Sequence, residues 1–325
     1  MKRAYHRLLI TAGLVAGGTA TAALIHSRIA KSLMSLAVDR EESPLFRRRR
    51  DQMMNSDSIR PLASRMRTAA ATLMGAPHRE IVIAAKDGTA LVGHWFPCPQ
   101  PQRIVIAMHG WRSSWAQDFG AIAPFLVQSH CHVLYAEQRG QGESGGDCMA
   151  FGLHERHDCC HWAAWAAKRC DGALPIYLWG VSMGGTTVLM ATGDDLPAAV
   201  QGVIADCAFT SPTAIWEHVA QHTLHVPYSL YRRPTDAAFR RRTDTDARAY
   251  SVPQAMKSCR VPVLFVHGAA DRLVPVDMTY ESYLACAAPR QLLIVPGADH
   301  GMSYLTDPHR YEQTVTAFWN EIEKN

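Results

Sequence analysis

Apolar positions along this chain fall into three regimes. Leu8–Ile25 carries no charge and follows Lys2, Arg3 and Arg7. From about Ala30 to Gly75, Leu33, Leu36, Leu62, Met66 and Leu73 recur at helical spacing among basic residues, with Pro44 and Pro61 as breaks. From Arg79 onward, short apolar runs alternate with amphipathic ones. EIVIAA and LVGHWF flank Lys86-Asp87-Gly88-Thr89, and an Asp-Gly between two such runs predicts a hairpin. Arg103–Met108, RIVIAM, is the continuous apolar run of a strand buried on both faces. Further strands are predicted at Val133–Tyr135, Ile176–Trp179, Val200–Ala205, Val261–Val266 and Gln291–Val295. Helices are predicted at Leu153–Lys168, Gly184–Ala191, Asp277–Ala287 and His309–Glu323. The first of these carries Trp162 and Trp165 on its apolar side. Such alternation predicts an α/β fold, a mostly parallel sheet flanked by helices on both faces.

One interval breaks the alternation. Phe209–Val261 contains Trp216, Tyr228, Tyr231, several prolines and many arginines. It is too long for a plain loop, so a helical cap over the strand ends is expected at about 209–260, shaping a substrate pocket. The resulting plan is an N-terminal membrane anchor or signal segment over 1–30, a helical lead-in over 31–78 that packs on the outside, and the main domain over 79–325.

At about 1.5 Å per residue, Leu8–Ile25 just reaches across a hydrocarbon core. A single anchor helix, contacting the membrane, is the first reading. A cleaved signal peptide, with Ala20-Thr21-Ala22 as the small-residue cleavage site, is the second, and a buried core helix the third. Arg28, Lys31 and Arg40 follow the run as Lys2, Arg3 and Arg7 precede it, so the orientation stays open. An extracytoplasmic domain is favoured, and the cytoplasmic face is the alternative.

Composition removes several classes. A net charge of +4 over 325 residues is too small to predict a nucleic-acid partner. The nine cysteines are odd in number and scattered, with no C-x-x-C, so neither a disulfide framework nor a zinc site is expected. They argue mildly for a reducing compartment, against the extracytoplasmic reading. No cofactor is expected, and no metal, on the reading that the chain holds no H-x-x-x-H spacing or clustered ligand set. The oligomeric state is not legible.

The chemistry centres on Ile176–Gly185, IYLWGVSMGG, in which Gly180-Val181-Ser182-Met183-Gly184 fits G-x-S-x-G between a predicted strand and a predicted helix. Glycines suit so sharp a turn, and Ser182 stands at its apex. A serine hydroxyl needs a base, and the base an orienter. Among 16 histidines, His300 follows the strand QLLIV, at the same sheet edge as Ser182. Asp271 follows VPVLFVHG, again just past a strand, with Asp206 as the rival acid. Either residue alone reads equally well as a turn or loop residue. An oxyanion would need two donors: the backbone N–H of Met183, and one from the turn after RIVIAM, for which Trp111 N–H is the candidate. His109 is expected to be structural.

Together, Met108-His109-Gly110-Trp111, Gln138–Ser144, Gly180–Gly185, Ala205–Ser211, HGAADRLVP and GADHG resemble the α/β-hydrolase superfamily. The resemblance is greatest to its bacterial membrane-associated serine hydrolases, related to the carboxylesterase and dipeptidyl-peptidase-like branches. It spans about Arg79 to Glu323 and implies catalytic roles for Ser182, Asp271 and His300. Glu137-Gln138 departs from the family, which often has an Asp two residues before the Arg of R-G-x-G. The expected function is hydrolysis of a small-molecule carboxylic ester through an acyl-enzyme. A serine peptidase or acyltransferase on the same triad is the alternative, and an anchored non-catalytic binding protein is the alternative of another class.

Overall fold

The computed structural model describes residues 26–44, 47–48 and 60–324. The predicted anchor Leu8–Ile25 lies outside these residues. Among the described residues, no helix is long and apolar enough to cross a membrane.

Residues 26–38 form helix α1. Helix α2 is Arg60–Gly75, and the hairpin follows as β1 (Arg79–Ala84) and β2 (Ala90–Phe96). Then come β3 (Arg103–Met108), α3 (Trp115–Phe119), α4 (Ala123–Gln128), β4 (Cys131–Ala136), α5 (Glu155–Arg169), β5 (Ile176–Val181), α6 (Met183–Ala191) and β6 (Val200–Asp206). The interval after β6 holds α7 (Pro212–His218), a π-helical turn (Val219–Thr223), α8 (Tyr228–Thr243) and α9 (Val252–Ser258). The chain closes with β7 (Val263–Gly268), α10 (Val276–Ala285), β8 (Arg290–Val295), α11 (Ser303–Thr306) and α12 (Pro308–Glu323).

The eight strands form one sheet in the order β1-β2-β4-β3-β5-β6-β7-β8. The pairs β1·β2 and β2·β4 are antiparallel and the rest parallel. All six residues of β3 are buried, as its unbroken apolar run requires. Period-two alternation sends Ile104, Ile106 and Met108 into the core with α5 and α6, and Val105 and Ala107 into the core with α3, α4 and α12. Strand β3 lies between β4 on one side and β5 on the other. The winding therefore reverses about β3, and the crevice beyond the carboxyl ends of β3 and β5 is where such sheets hold their ligands.

Helix α1 buries Ala30, Met34 and Val38, spaced four apart, whereas Leu33 and Leu36 are only half-buried. Its end is also more than an outer cover. Val38 O accepts from Met149 N at 2.7 Å, and Arg40 Nη1 donates to Ser144 O at 2.6 Å. Arg242 of α8 pairs with Asp39. Residues 38–40 thus tie the loop after β4 to helix α8.

Candidate functional site

Strand β5 ends at Val181, and Ser182 takes φ 55 and ψ −118 before α6 begins at Met183. A positive φ at a non-glycine residue costs about 1–3 kcal/mol and persists only where its surroundings enforce it. They do so here by close approach. A Cβ at Gly184 would lie 1.9 Å from Met108 O, and one at Gly180 2.1 Å from Gly184 O. Only glycine lets α6 start against the end of β3. The first helical hydrogen bond runs from Thr186 N to Ser182 O at 2.9 Å. The amides of Met183, Gly184 and Gly185 therefore have no intrahelical acceptor.

The structure brings together the three residues that the sequence singled out from three strand ends. His300 Nε2 is 2.9 Å from Ser182 Oγ, and His300 Nδ1 is 2.8 Å from Asp271 Oδ2. Asp271 has a fully buried side chain, and its Oδ1 accepts from Leu273 N and Val274 N, both at 2.9 Å. Burial alone would push the Asp271 carboxyl up. Hydrogen bonds from His267 and His300 and the Val274 amide outweigh it and hold the group well below the usual carboxylate range. For His300, burial opposes the charged ring, while the Cys207 sulfur and the Asp271 carboxylate favour it. The net position is well above the ordinary histidine value. The carboxylate is the charged member of these two at neutral pH, because burial pushes the Cys207 thiol up to about 11.

The rival acid does not reach the histidine. Asp206 Oδ1 accepts from Ser303 Oγ at 2.8 Å, and burial pushes its carboxyl up. Asp299 accepts from His300 N at 2.8 Å and pairs with Arg272. Sequence reasoning missed His267. It is fully buried at the end of β7, with Nε2 2.9 Å from Val274 O and 3.1 Å from Asp271 Oδ2. Since both of those partners accept, Nε2 carries the proton, and Nδ1 takes the Thr279 hydroxyl at 2.7 Å. A histidine four residues before the acid, at the same strand end, was the available signal.

The turn after β3 touches the serine: a Cβ at Gly110 would lie 3.3 Å from Ser182 Cβ. Asp118 Oδ2 accepts from Gly110 N at 2.6 Å, and Gln141 Oε1 from Arg112 N at 2.6 Å. His109 is buried, with Nδ1 2.9 Å from Gly110 O and Nε2 accepting from Gln138 N at 3.2 Å. Burial pushes its pKa down, which fits a neutral, structural ring. The Trp111 indole donates to Ala37 O at 2.7 Å. Arg112 Nη2 donates to Leu36 O at 2.9 Å and Asp39 O at 2.7 Å, satisfying carbonyls at the end of α1. Arg112→Ala should therefore cost about 1–3 kcal/mol, the worth of charge-assisted bonds to carbonyls that would be left unpaired. Urea unfolding checks this, and a change below about 0.5 kcal/mol, the size of an ordinary surface effect, would show that α1 does not depend on the Arg112 bonds.

The expectation of no clustered ligand set needs correcting. Two H-x-x-x-H spacings, His157–His161 and His218–His222, are present in the chain. The rings of His218 and His222 stack at 4.3 Å. Cys207, Asp271 and His300 also converge, with one ligand atom from each within 4.8 Å of the others.

Comparisons with known proteins agree with this fold. The family described as alpha/beta hydrolase fold matches residues 103–251. The chain is 28% identical over 246 residues to the uncharacterized protein YqkD of Bacillus subtilis, covering 74% of this chain and 79% of that one. It is 24% identical to the uncharacterized protein YfhR of Escherichia coli K12 over 68% of this chain and 72% of that one. Among solved structures, the Pyrococcus furiosus esterase Pf2001 superposes with a TM-score of 0.64 at 21% identity, covering 77% of this chain and 93% of that one. Est1E from Butyrivibrio proteoclasticus, with ferulic acid bound, gives a TM-score of 0.57 at 19% identity, covering 75% and 100%.

Proposed function

From a chain that belongs to the α/β-hydrolase superfamily, we infer a serine hydrolase that cleaves carboxylic esters through an acyl-enzyme. The carrying observation is the continuous relay Ser182 Oγ, His300, Asp271, with contacts of 2.9 and 2.8 Å. His300 Nε2 takes the Ser182 proton as the oxygen attacks the ester carbonyl, and returns it to the departing alcohol. Asp271 holds the Nδ1–H tautomer and balances the imidazolium. Met183 N–H, in the open first turn of α6, and Trp111 N–H, in the turn against Ser182, are the donors assigned to the oxyanion. Water then repeats the attack on the acyl-enzyme.

The substrate side is read from the aromatic groups beside that turn. The Phe151 ring lies 6.5 Å from Trp111, 5.9 Å from Phe209 and 5.5 Å from Trp216, and Trp216 lies 4.9 Å from Phe239. This apolar wall joins the turn to the interval after β6, which in this reading caps the site. It favours an ester with an apolar acyl group over a charged peptide. A fluorophosphonate probe should label Ser182, and p-nitrophenyl esters should turn over faster than aminoacyl amides. A folded protein that the probe leaves unlabelled would end this reading, while faster amide cleavage would move it to a peptidase.

The pH dependence has a definite sign. A general base works as the neutral ring, and His300 is raised above the ordinary value of about 6.5. The acid limb of kcat/KM should therefore lie above about pH 6.5. In Asp271→Asn the carboxylate that raises it is gone, so the limb should move down, and the rate should fall by roughly 10⁴ as the wrong tautomer is held. Linkage runs the other way for stability. The raised His300 value contributes stability that is fully present below the unfolded histidine value and is lost as pH rises through the folded one, whereas the lowered Asp271 value contributes stability that is present above the unfolded carboxylate value and is lost as pH falls through the folded one. A pH–rate profile of both proteins is the measurement, and an unmoved limb in Asp271→Asn would exclude the assigned role of the carboxylate.

A further inference from the structure

Hydrolysis as described gives Cys207 no task. It follows β6 with φ 47, is fully buried, and is anchored by its own N–H to Val266 O at 2.9 Å. Its Sγ, one oxygen of Asp271 and one ring nitrogen of His300 lie within 4.8 Å of one another. A thiolate, a carboxylate and an imidazole make a donor set suited to a borderline-soft divalent cation. Around a tetrahedral ion with bonds of about 2.0–2.3 Å, ligand atoms stand roughly 3.3–3.8 Å apart, so small side-chain rotations would close the set.

We propose that Cys207, Asp271 and His300 form an inhibitory Zn²⁺ site, filled at the expense of the Asp271–His300 hydrogen bond. The binding is independent of the hydrolase reading; only the word inhibitory rests on it. The Cys207 S–H bond breaks, its proton leaves to solvent, and a Zn–S bond forms. The neutral His300 ring gives up the proton on Nδ1, takes one on Nε2, and coordinates through Nδ1. The Asp271 carboxylate supplies the third bond. Thiolate and carboxylate together balance the dication, and one proton is released overall. A coordinated thiol is deprotonated outright, so the cation takes the place of the thiol proton that burial otherwise retains.

The consequence for the reaction follows from the tautomer. With Nε2 protonated and Nδ1 on the metal, His300 can no longer accept the Ser182 proton. Of the residues bridged to each other here, the Asp271 side chain is fully buried and that of His300 is 21% exposed. Exchange with solvent therefore passes the His300 edge. The half-buried His218 and the exposed His222 offer imidazoles without a thiol.

Cd²⁺ is the probe for binding, through its thiolate charge-transfer absorbance, and Zn²⁺ the probe for inhibition, each rate being compared with that of the same protein in EDTA. Expected are a Cd²⁺–thiolate band in the wild type and in Ser182→Ala, and its loss in Cys207→Ser and Cys207→Ala. Half-inhibition of ester turnover in Cys207→Ser should need at least about tenfold more Zn²⁺, and inhibition should be unchanged in His222→Ala. An undiminished band in both Cys207 variants, or equal Zn²⁺ sensitivity of Cys207→Ser and wild type, would overturn the site. Because Ser182→Ala tests binding without turnover, a protein that binds Cd²⁺ through Cys207 but hydrolyses no ester refutes the hydrolase reading and leaves the metal site standing.

Discussion

Ser182→Ala should lower ester turnover by on the order of 10⁶ in kcat while leaving the protein folded. Removing the nucleophile removes the covalent route, and the remaining groups cannot compensate, because they act only through it. What survives is the weak catalysis that oxyanion donors and substrate binding give to water. Stability should change little. Alanine takes the same φ 55 at the same backbone cost, and the side chain lost is a single hydroxyl whose partner, His300, is partly exposed to water. A thermal melt beside the rate measurement checks both halves. Retention of more than about one hundredth of wild-type turnover would exceed what that residual background allows and would exclude Ser182 as the nucleophile.

Gly184→Ala should do the reverse, acting on the fold first. The added Cβ would lie 1.9 Å from Met108 O and 2.7 Å from His109 O. Overpacking against side chains costs about 1–3 kcal/mol because rotamers can give way. Here the obstacle is backbone at the end of a fully buried strand, so α6 as a whole must move off β3. We expect a loss above about 3 kcal/mol, seen as a lower urea midpoint, with Ser182 displaced and turnover lost as well. Gly172→Ala separates the two costs that a glycine can hide. Gly172 has φ 67 but nothing within 4 Å, so alanine there meets only the left-handed backbone penalty of about 1–2 kcal/mol. Equal destabilisation by the two substitutions would show that the approach of α6 to β3 is not what requires Gly184.

Much of the sheet was legible from the chain because apolar periodicity reports burial directly. RIVIAM read as a strand buried on both faces, and all six of its residues are buried. Strand and helix ends moved by one or two residues, as at Val263–Gly268 and Val276–Ala285, because the terminal positions carry no periodic signal of their own. Ser182, Asp271 and His300 were legible for a related reason. Each comes shortly after the end of an apolar strand, and parallel strands place all such positions on one edge.

Other features were not legible because they depend on contacts far apart in sequence. The choice of Asp271 over Asp206 needed the neighbours of each carboxylate: His300 and His267 around one, Ser303 around the other. On α1, the leucines carry the apolar pattern, yet Ala30, Met34 and Val38 are the residues inside. A larger side chain is a better sign of burial only where the partner surface leaves room for it. The bonds from Trp111 and Arg112 to the end of α1 span more than seventy positions and leave no local trace.

The sequence by itself determined the α/β alternation, the sharp turn at Ser182 and the residue types waiting at three strand ends, because those follow from local periodicity and from glycine's missing side chain. Only the tertiary structure decided which acid faces His300, that His267 supports it, and that Cys207 stands beside both. Those are distances between strand ends, set by the order in which the strands pair.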